Sequence, residues 1–368
     1  MNGIRNRIGN RTGNRRTVIA LAVTAAAVAG GVSLAVLPAS ADGNATGNGN
    51  AGHDMSAMTS MAMPGSAGWG DDSITTQSGS GGGSGSGSGS GDRGKPAVYF
   101  AASLNGANEV PVANGPAVGD KDGKAVEFLK IQGNQVSFAM KWKGIAPPTA
   151  AHIHQGAAGS NGGVKIPFFA EKLPGSVYSV TGSVTVDDAK LLSDLRANPG
   201  GFYANLHTAE FPGGAVRGQL HRLSSSIDFS KALSDLQASV VKGQQIYACT
   251  KQPGGGYAFT QDNVKARLGA GIEHSFVRPA AGPPQWIAPD GSAVTGAVLT
   301  KTPNGQGNIP ELDLRATQSG KRDGVLAGTQ EILRLNTVGG VAPAGSCDPY
   351  KTPRVGVDYR ADYLFIGR

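Results

Sequence analysis

The stretch that indicates the fold most directly is NPGGFYANLHT, residues 198–208. Its first four residues form a strong turn signal, so a strand is predicted to begin immediately after them. Because side chains alternate between the two faces of a strand, Phe202, Ala204 and Leu206 are predicted to face the core, which leaves His207 on the opposite face. The stretch therefore predicts a strand with an apolar core face and with Tyr203, Asn205 and His207 on the opposite face.

Similar runs recur along the chain after residue 95, separated by turn signals such as Asn105-Gly106 and Gly133-Asn134. In the first half, strands are predicted over 97–104, 125–131, 135–143, 177–186, 202–208 and 215–220. In the second half, they are predicted over 244–250, 271–277, 293–300, 311–316, 325–338 and 355–365. Many short strands at this spacing are typical of β-sandwiches and barrels, so the chain is predicted to be all-β.

Breaks in this pattern divide the folded part into two β-rich domains, residues 95–224 and 243–368. One helix is predicted inside the first domain, between the cap signal at Asp187-Asp188 and the NPGG turn. Residues 225–242 are assigned to a connector. The apolar spacing within 227–242 predicts a short amphipathic helix there.

Residues 1–41 have the pattern of an export signal. Five arginines precede an uncharged stretch from Val18 to Leu37, and the sequence Pro38-Ala39-Ser40-Ala41 is a typical cleavage site. The pair Arg15-Arg16 favours the twin-arginine route, although a Sec signal also fits. A retained anchor is the alternative, since about 20 largely apolar residues can just span a bilayer. The segment predicts a secreted protein that contacts the membrane only through its signal sequence, before cleavage.

The net charge of +7 comes mostly from this segment. Of the 33 lysines and arginines, five lie in residues 1–41 and no acidic residue does, so 28 basic residues then stand against 26 acidic ones. A nearly neutral mature chain does not favour a nucleic-acid partner, and none is predicted. The 57 glycines exclude a long coiled coil or a helical bundle, because each glycine costs a helix about 1 kcal/mol.

Residues 42–94 contain 16 glycines and end in a Gly/Ser run, so they are predicted to be a disordered linker. One segment of this linker, the methionine island at residues 53–63, differs from the rest because it holds four of the five methionines that would survive cleavage. Thioether sulfur suits Cu(I) and imidazole suits either copper state, so the island is a candidate auxiliary copper site. Compositional drift in a low-complexity tail is the alternative. The candidate ligands are His53, Met55, Met58, Met61 and Met63.

The only two cysteines, Cys249 and Cys347, both lie in the second domain. An exported protein meets an oxidising environment, so the two are predicted to form a disulfide that closes most of this domain into a loop. A reactive thiol is the alternative reading, but no Cys-x-x-Cys motif supports it.

Four of the six histidines lie in the first domain: His152, His154, His207 and His221. Strand alternation in PTAAHIHQG, residues 148–156, places His152 and His154 on one face. Two imidazoles two residues apart on a strand are a common geometry for metal ligands. His207 and His221 are also predicted to face away from the core, so all four are candidate metal ligands. Structural histidines satisfied by hydrogen bonds are the alternative, and the sequence leaves open whether the faces converge.

Several motifs between residues 98 and 223 occur in the order typical of CHRD (chordin-type) domains. They are LNGANEVP at 104–111, AHIH at 151–154, NPGGFY at 198–203, NLHTAEFPGG at 205–214 and RGQL at 217–220. On these motifs the first domain resembles a CHRD domain. The resemblance implies an extracellular β-sandwich, known in animals from proteins that bind growth factors, and it assigns no activity to the bacterial members.

The His-x-His strand is also similar to the copper strand of Cu/Zn superoxide dismutases, which implies a Greek-key sandwich like theirs in outline. However, this domain has no recognisable zinc loop, no cysteine and no arginine that can be matched to the dismutase active site. These departures count against superoxide dismutation.

The second domain resembles a bacterial domain of unknown function that occurs in exported proteins. The motifs that carry the resemblance include GQQIYAC at 243–249, GPPQW at 282–286, RLNTVGGVAP at 334–343 and YRADY at 359–363. The resemblance implies an architecture and no activity. His274, Trp286 and Asp290 are candidates for lining a ligand groove, with turn and packing roles as the alternative.

These features predict an exported, non-enzymatic binding protein with copper as its cofactor, held by the first-domain histidines and passed on from the methionine-rich tail. An extracellular adhesion module that recognises protein or glycan, with purely structural histidines, is the alternative. Nucleophile-elbow, H-E-x-x-H and phosphate-loop motifs are absent, and no dinucleotide fingerprint is predicted, because GNGNAG at 47–52 and GSGDRG at 89–94 lie in the linker with no predicted strand before them. A metal-dependent oxidoreductase of the dismutase type is therefore kept only as an outlier.

Overall fold

The computed structural model describes residues 22–24, 96–280 and 282–367. The predicted linker with its candidate copper ligands His53, Met55, Met58, Met61 and Met63 lies outside these residues, as does the predicted signal apart from residues 22–24. Among the described residues, no helix is long and apolar enough to cross a membrane. Two β-structures dominate this part of the chain, so the predicted all-β class is confirmed.

The first domain is built on a ten-stranded sheet. Its strands are β1 (Ala22–Thr24), β2 (Val98–Asn105), β3 (Lys124–Gln132), β4 (Gln135–Lys143), β5 (Ala150–Gln155), β6 (Val164–Phe169), β7 (Ser179–Thr185), β8 (Phe202–His207), β9 (Val216–Gln219) and β10 (His221–Arg222). In space the order is β1-β7-β4-β3-β2-β9-β8-β5-β6, with β10 paired to β2. Strands distant in sequence lie side by side, β7 beside β4 and β9 beside β2, which is an arrangement of the Greek-key type.

This sheet folds over a single apolar core to which both of its halves contribute. Phe100, Leu129 and Phe138 come from β2, β3 and β4, while Ile153 and Leu206 come from β5 and β8 at the other side. All five are fully buried. The predicted β-sandwich is therefore confirmed.

The helix of the first domain, α1 (Ala189–Ala197), begins and ends where its cap signals predict. Asp188 is the N-cap, and its side chain accepts a hydrogen bond of 2.8 Å from the Leu191 amide. Leu191, Leu192 and Leu195 form the buried face, which packs on the sandwich core.

The second domain is a closed eight-stranded barrel. Its strands are β11 (Leu236–Lys251), β12 (Tyr257–Leu268), β13 (Glu273–Phe276), β14 (Pro284–Ile287), β15 (Ala293–Thr302), β16 (Glu311–Gln318), β17 (Thr329–Gly339) and β18 (Arg354–Gly367). Each strand pairs antiparallel with the next one in the chain, and β18 pairs with β11. Every strand of the barrel therefore has a partner on each side, although β12 and β15 extend beyond their short partners β13 and β14.

The predicted disulfide is confirmed, because Cys249 is bonded to Cys347. Cys249 lies in β11, and Cys347 lies in the loop between β17 and β18. The Cys347 amide also donates to the Tyr257 carbonyl in β12 at 3.1 Å. The disulfide therefore ties this loop to the β11–β12 hairpin.

The predicted connector helix over 227–242 is wrong beyond Ser234. Phe229–Ser234 form a 3-10 helix, and β11 begins at Leu236, so the barrel starts earlier than residue 243. Ala238 and Val240 alternate with outward residues along β11 and pack into the barrel core. The apparent helical spacing arises because a turn and a strand follow each other without an intervening break.

Besides β1, which lies in the predicted export signal, the strands β6, β12 and β14 lie where the sequence predicts none. β12 carries many polar residues on its outer face, while Val264, Ala266 and Leu268 pack into the barrel. β14 has only four residues and begins at Pro284, a residue that usually argues against a strand. Pairing determines these strands rather than local propensity: β12 and β14 have a partner on each side, and the edge strand β6 pairs with β5.

A second apolar cluster joins the two domains. Val126 and Phe128, on the face of β3 opposite the sandwich core, pack in the same cluster as Leu335 and Leu364 of the barrel. Ile227 of the connector is buried among them. The two domains therefore bury apolar surface against each other.

A buried carboxylate reinforces this contact. Asp362 of the barrel accepts hydrogen bonds from Ser103 Oγ at 3.1 Å and Asn105 Nδ2 at 3.2 Å, both on β2 of the sandwich. It also accepts from Asn336 Nδ2 of the barrel at 2.7 Å. Donors from both domains thus satisfy one carboxyl group that is nearly inaccessible to solvent, and the Lys124 ammonium of the sandwich lies 3.8 Å from it.

Glu127 is an unpartnered carboxyl inside the sandwich core. It lies on β3 between Ala102 and Met140, which belong to the core, and it is fully buried. Neither carboxyl oxygen has a hydrogen-bond partner. Burial raises the pKa of Glu127 well above its ordinary value of 4.5.

We expect Glu127→Met to stabilise the protein at pH 8 by about 1–3 kcal/mol, because it removes an unsatisfied polar group from the core. The raised pKa means that the wild type is most stable below pH 4.5, where the unfolded carboxyl is also protonated, and loses stability as the pH rises above that value. Denaturant unfolding at pH 5 and pH 8 measures this, and the gain should be larger at pH 8. The matched control is Glu210→Met at an exposed position. An equal gain at both pH values would contradict the expectation.

Candidate metal centre

The candidate metal centre lies on the outer face of the sandwich, on the neighbouring strands β5, β8 and β9. In β5, Ile153 faces the core, so His152 and His154 face outward. In β8, Leu206 faces the core and His207 faces outward. Because β5 and β8 are paired, the three imidazoles share one side of the sheet.

The three imidazoles converge. One nitrogen from each of His152, His154 and His207 lies within 4.8 Å of the other two. The ring centroids are 5.1 Å apart for His152 and His207, 5.6 Å for His152 and His154, and 6.2 Å for His154 and His207. All three side chains are at most 4% exposed. Three imidazole nitrogens in this arrangement can act as ligands to a single transition-metal ion, as in three-histidine sites.

Backbone carbonyls orient two of the rings. The Nδ1 atom of His154 lies 2.9 Å from the Gly162 carbonyl oxygen, and the Nδ1 atom of His207 lies 3.0 Å from the Pro212 carbonyl oxygen. A carbonyl only accepts hydrogen bonds, so each neutral ring donates from Nδ1 and carries its lone pair on Nε2. A hydrogen bond from Nδ1 to a backbone carbonyl is the usual contact of histidines that bind a metal through Nε2.

Tyr203 and Arg217 flank the triad on the same outer face. The His154 ring stacks on Tyr203 with centroids 4.8 Å apart and an angle of 6° between the planes. The Arg217 guanidinium carbon lies 3.5 Å from the centroid of the Tyr203 ring, a cation–π contact. The Arg217 guanidinium therefore packs on the Tyr203 ring, and the Tyr203 ring in turn packs on His154.

Arg217 also fixes the loop after β5. Its guanidinium donates to the carbonyls of Ala157 and Ser160 at 2.9 and 2.8 Å, and to the Asn161 side chain at 3.2 Å. The same loop supplies the Gly162 carbonyl that orients His154. Although it is always charged, Arg217 is only 1% exposed, which is tolerable because acceptors surround the guanidinium.

An acidic residue, Glu109, also lies near the triad. Glu109 accepts a hydrogen bond of 3.4 Å from Asn205, which lies directly across from His152 in the β5–β8 pairing. Burial raises the pKa of Glu109 to about 8, against the opposing effects of Arg217 and Asn205. A Cβ at Gly214, where φ is +133°, would lie 2.5 Å from the Glu109 carboxylate, so only glycine fits beside this acid.

Sequence reasoning assigned no role at the site to Glu109, Tyr203 or Arg217. Strand alternation already places Tyr203 and Arg217 on the histidine face, and this pattern could have identified them. Glu109 lies in the loop after β2, and only the CHRD-like motif at 104–111 pointed to it.

His221, the fourth predicted ligand, does not join the triad. It lies on β10, which pairs with β2, and its Nε2 is 3.4 Å from the Glu311 carboxylate of the barrel. Burial lowers the pKa of His221, with Glu311 and Asp313 acting in the opposite direction. Its outward face is the face that the barrel covers, so this histidine belongs to the domain contact.

The three predicted groove residues of the barrel separate into two groups. His274 and Trp286 stack with centroids 4.4 Å apart and line a cavity inside the barrel. Asp290 instead stabilises a turn, accepting from the Ser292 and Val325 amides at 2.8 Å each. It does not line that cavity.

Comparison with known families agrees with the motifs. Residues 100–220 match the CHRD domain, and residues 258–367 match a protein of unknown function (DUF3455). The chain therefore carries a CHRD domain followed by a domain of unknown function, as the two resemblances predicted. No curated protein and no solved structure matches the chain. The histidine triad lies wholly within the CHRD domain.

Proposed function

We propose that the protein is an exported, non-enzymatic binding protein whose CHRD domain binds a copper ion through His152, His154 and His207. The observation that carries the proposal is the convergence of three buried imidazoles within 4.8 Å. Two of the rings are held by backbone carbonyls in the tautomer that offers Nε2. The rigid strands β5 and β8 supply all three ligands, which favours a preformed site.

Copper is the metal that the chain as a whole favours. Imidazole ligands suit both copper and zinc, and Cu(II) forms the stronger complexes in the usual affinity order. The methionine island at residues 53–63 offers thioethers that suit Cu(I). In this proposal the island delivers copper, and the Gly/Ser linker lets it reach the triad.

Burial of the triad favours storage or transfer of the ion over catalysis. Each ligand is at most 4% exposed, and the loop held by Arg217 lies beside them. A substrate would need an open coordination position that solvent can reach. Dismutase activity no higher than that of free copper is therefore expected of the copper-loaded protein.

Export is part of the proposal. The signal-like segment of residues 1–41 supports it, and so does the disulfide, which is stable in oxidising compartments. Expression with the native signal, followed by N-terminal sequencing of the external protein, tests this. The expected mature protein begins at Asp42 and therefore lacks the edge strand β1, and retention in the cell would contradict export.

The metal proposal is tested by titrating the mature chain with Cu(II), with Cu(I) under reductant, and with Zn(II). We expect one tight site in the wild type and its loss in His152→Ala/His154→Ala. The matched control is His221→Ala, which removes a buried histidine away from the triad and should leave the stoichiometry unchanged. Equal uptake by the wild type and the double variant would reject the proposal in favour of an adhesion module with structural histidines.

The tail is tested separately by deleting residues 53–63. We expect slower loading with Cu(I) and unchanged equilibrium binding of Cu(II), because the deletion removes thioethers and leaves the triad intact. Deletion of residues 79–89, an equally long piece of the Gly/Ser run, is the control for linker length. Identical Cu(I) loading rates in the two deletions would exclude a role for the methionines.

A further inference from the structure

The barrel contains a cavity of about 320 Å³ that the proposed metal site does not use. It lies at the level of the stacked His274 and Trp286 rings, and Tyr363 packs edge-on against both. Val298 and Lys301 on β15 also line it and are exposed, so the cavity opens to solvent beside this strand. Its volume is at the lower end of the range for small-molecule sites.

Most of the wall is apolar. Val264, Phe276, Ile309, Leu312 and Leu314 line the cavity together with the Trp286 ring. These side chains come from several strands around the barrel, so they surround an occupant and do not form a flat patch. A ligand with a hydrocarbon or aromatic body would bury its surface there.

Three residues of the wall carry buried donors without acceptors. They are Nε2 of Gln245, Nε1 of Trp286 and Nε of Arg334. The orientation of the Gln245 amide is fixed, because its oxygen accepts from Gln261 at 3.1 Å while Gln261 itself donates to the Asn263 carbonyl at 2.6 Å. Buried N–H groups without partners are rare in folded proteins, and three of them around one cavity point to an acceptor in the ligand.

The charged residues that line the cavity are all basic. Arg334 and Lys301 line the cavity, and none of the described lining residues is acidic. Arg334 sits opposite Tyr363 in the β17–β18 pairing, and one of its terminal nitrogens donates to the Pro310 carbonyl at 2.7 Å. Burial lowers the pKa of His274 to about 3, so this ring is neutral at physiological pH. An anionic acceptor therefore fits the wall better than a neutral one.

We propose that the barrel binds a small carboxylate with an apolar body, whose carboxylate accepts from Arg334, Trp286 and Gln245 while its body packs between Phe276 and Leu314. The site is independent of the histidine triad, since all its residues belong to the second domain. The ligand class is that of aromatic and short fatty acids.

The experiment uses 2-naphthoate and its uncharged analogue 2-naphthamide as probes of the full chain, with binding measured by isothermal titration calorimetry. We expect the acid to bind about 10–100-fold more tightly than the amide, because a charge-assisted contact is present only with the acid. Arg334→Gln should remove this preference. Arg315→Gln, on an exposed position of the adjacent strand β16, is the matched control and should retain it.

Two outcomes would overturn the proposal. One is equal affinity for acid and amide in the wild type, or no binding of either. The other is a preference for the acid that survives Arg334→Gln. Trp286→Phe retains an aromatic ring, although a smaller one, and removes the N–H donor, so it provides a second test should Arg334→Gln fold poorly. It should weaken binding of the acid by about tenfold while circular dichroism stays unchanged.

Discussion

Arg217→Met is expected to lower the free energy of unfolding by about 3–5 kcal/mol, because the buried guanidinium makes several charge-assisted hydrogen bonds whose acceptors would lose their partner. These acceptors include the carbonyls of Ala157 and Ser160 and the side chain of Asn161. The same variant loses the cation–π contact with Tyr203.

Metal affinity should also fall in Arg217→Met, by about 10–100-fold, although no ligand is removed. The reason is that Arg217 holds both the loop whose Gly162 carbonyl orients His154 and the Tyr203 ring on which His154 stacks. Urea unfolding and Cu(II) titration below the unfolding transition measure the two effects separately. Hydrogen exchange in residues 156–163 should increase in parallel.

Two further variants make this expectation specific. Arg222→Met removes an exposed arginine from the neighbouring strand β10 and should change neither quantity. Arg217→Lys keeps the positive charge but lacks the planar guanidinium with its several donors, so it should restore only part of the stability. If Arg217→Met bound copper as tightly as the wild type, the loop would have no part in orienting the triad.

The faces of β5 and β8 could be predicted from the sequence, and this was enough to place His152, His154 and His207 on one side of their strands. Alternation is reliable here because apolar and polar side chains occupy opposite faces of these strands, and a one-residue slip would exchange Ile153 or Leu206 with a histidine. What could not be predicted was that β5 and β8 are neighbours. Sequence distance gives no information on that point, since the pairing crosses about fifty residues.

His221 also shows that contacts between distant segments cannot be predicted from the sequence. Its outward face was predicted, but that face is covered by the barrel, and contact between domains has no periodic signature in the chain. The residues that line the barrel cavity could also be predicted only in part from the sequence. His274 and Trp286 were candidates, whereas Gln245 and Arg334 lie in strands whose pattern indicates packing alone. Their role follows only from closure of the barrel, which turns their side chains to a common interior.

Removal of the disulfide is the change that we expect to lower the stability of the barrel most. Replacing Cys249 and Cys347 by serine should lower the stability of the barrel by about 4–5 kcal/mol, because the bond closes a loop with a sequence separation of 98 residues and so restricts the unfolded chain. A loss this large approaches the whole stability of many domains. The effect arises mainly in the unfolded state and therefore should not require any change in the folded barrel.

Hydrogen exchange read separately on peptides from residues 98–222 and 236–367 distinguishes the two domains. The double serine variant should lose protection throughout the barrel. The sandwich should lose less, since the contact between Val126, Phe128 and the barrel leucines couples the domains without merging their cores. Reduction of the wild type with a phosphine should reproduce the variant, and the same reductant should not affect the variant itself. A loss of protection confined to residues 340–353 would show instead that the disulfide only holds its own loop.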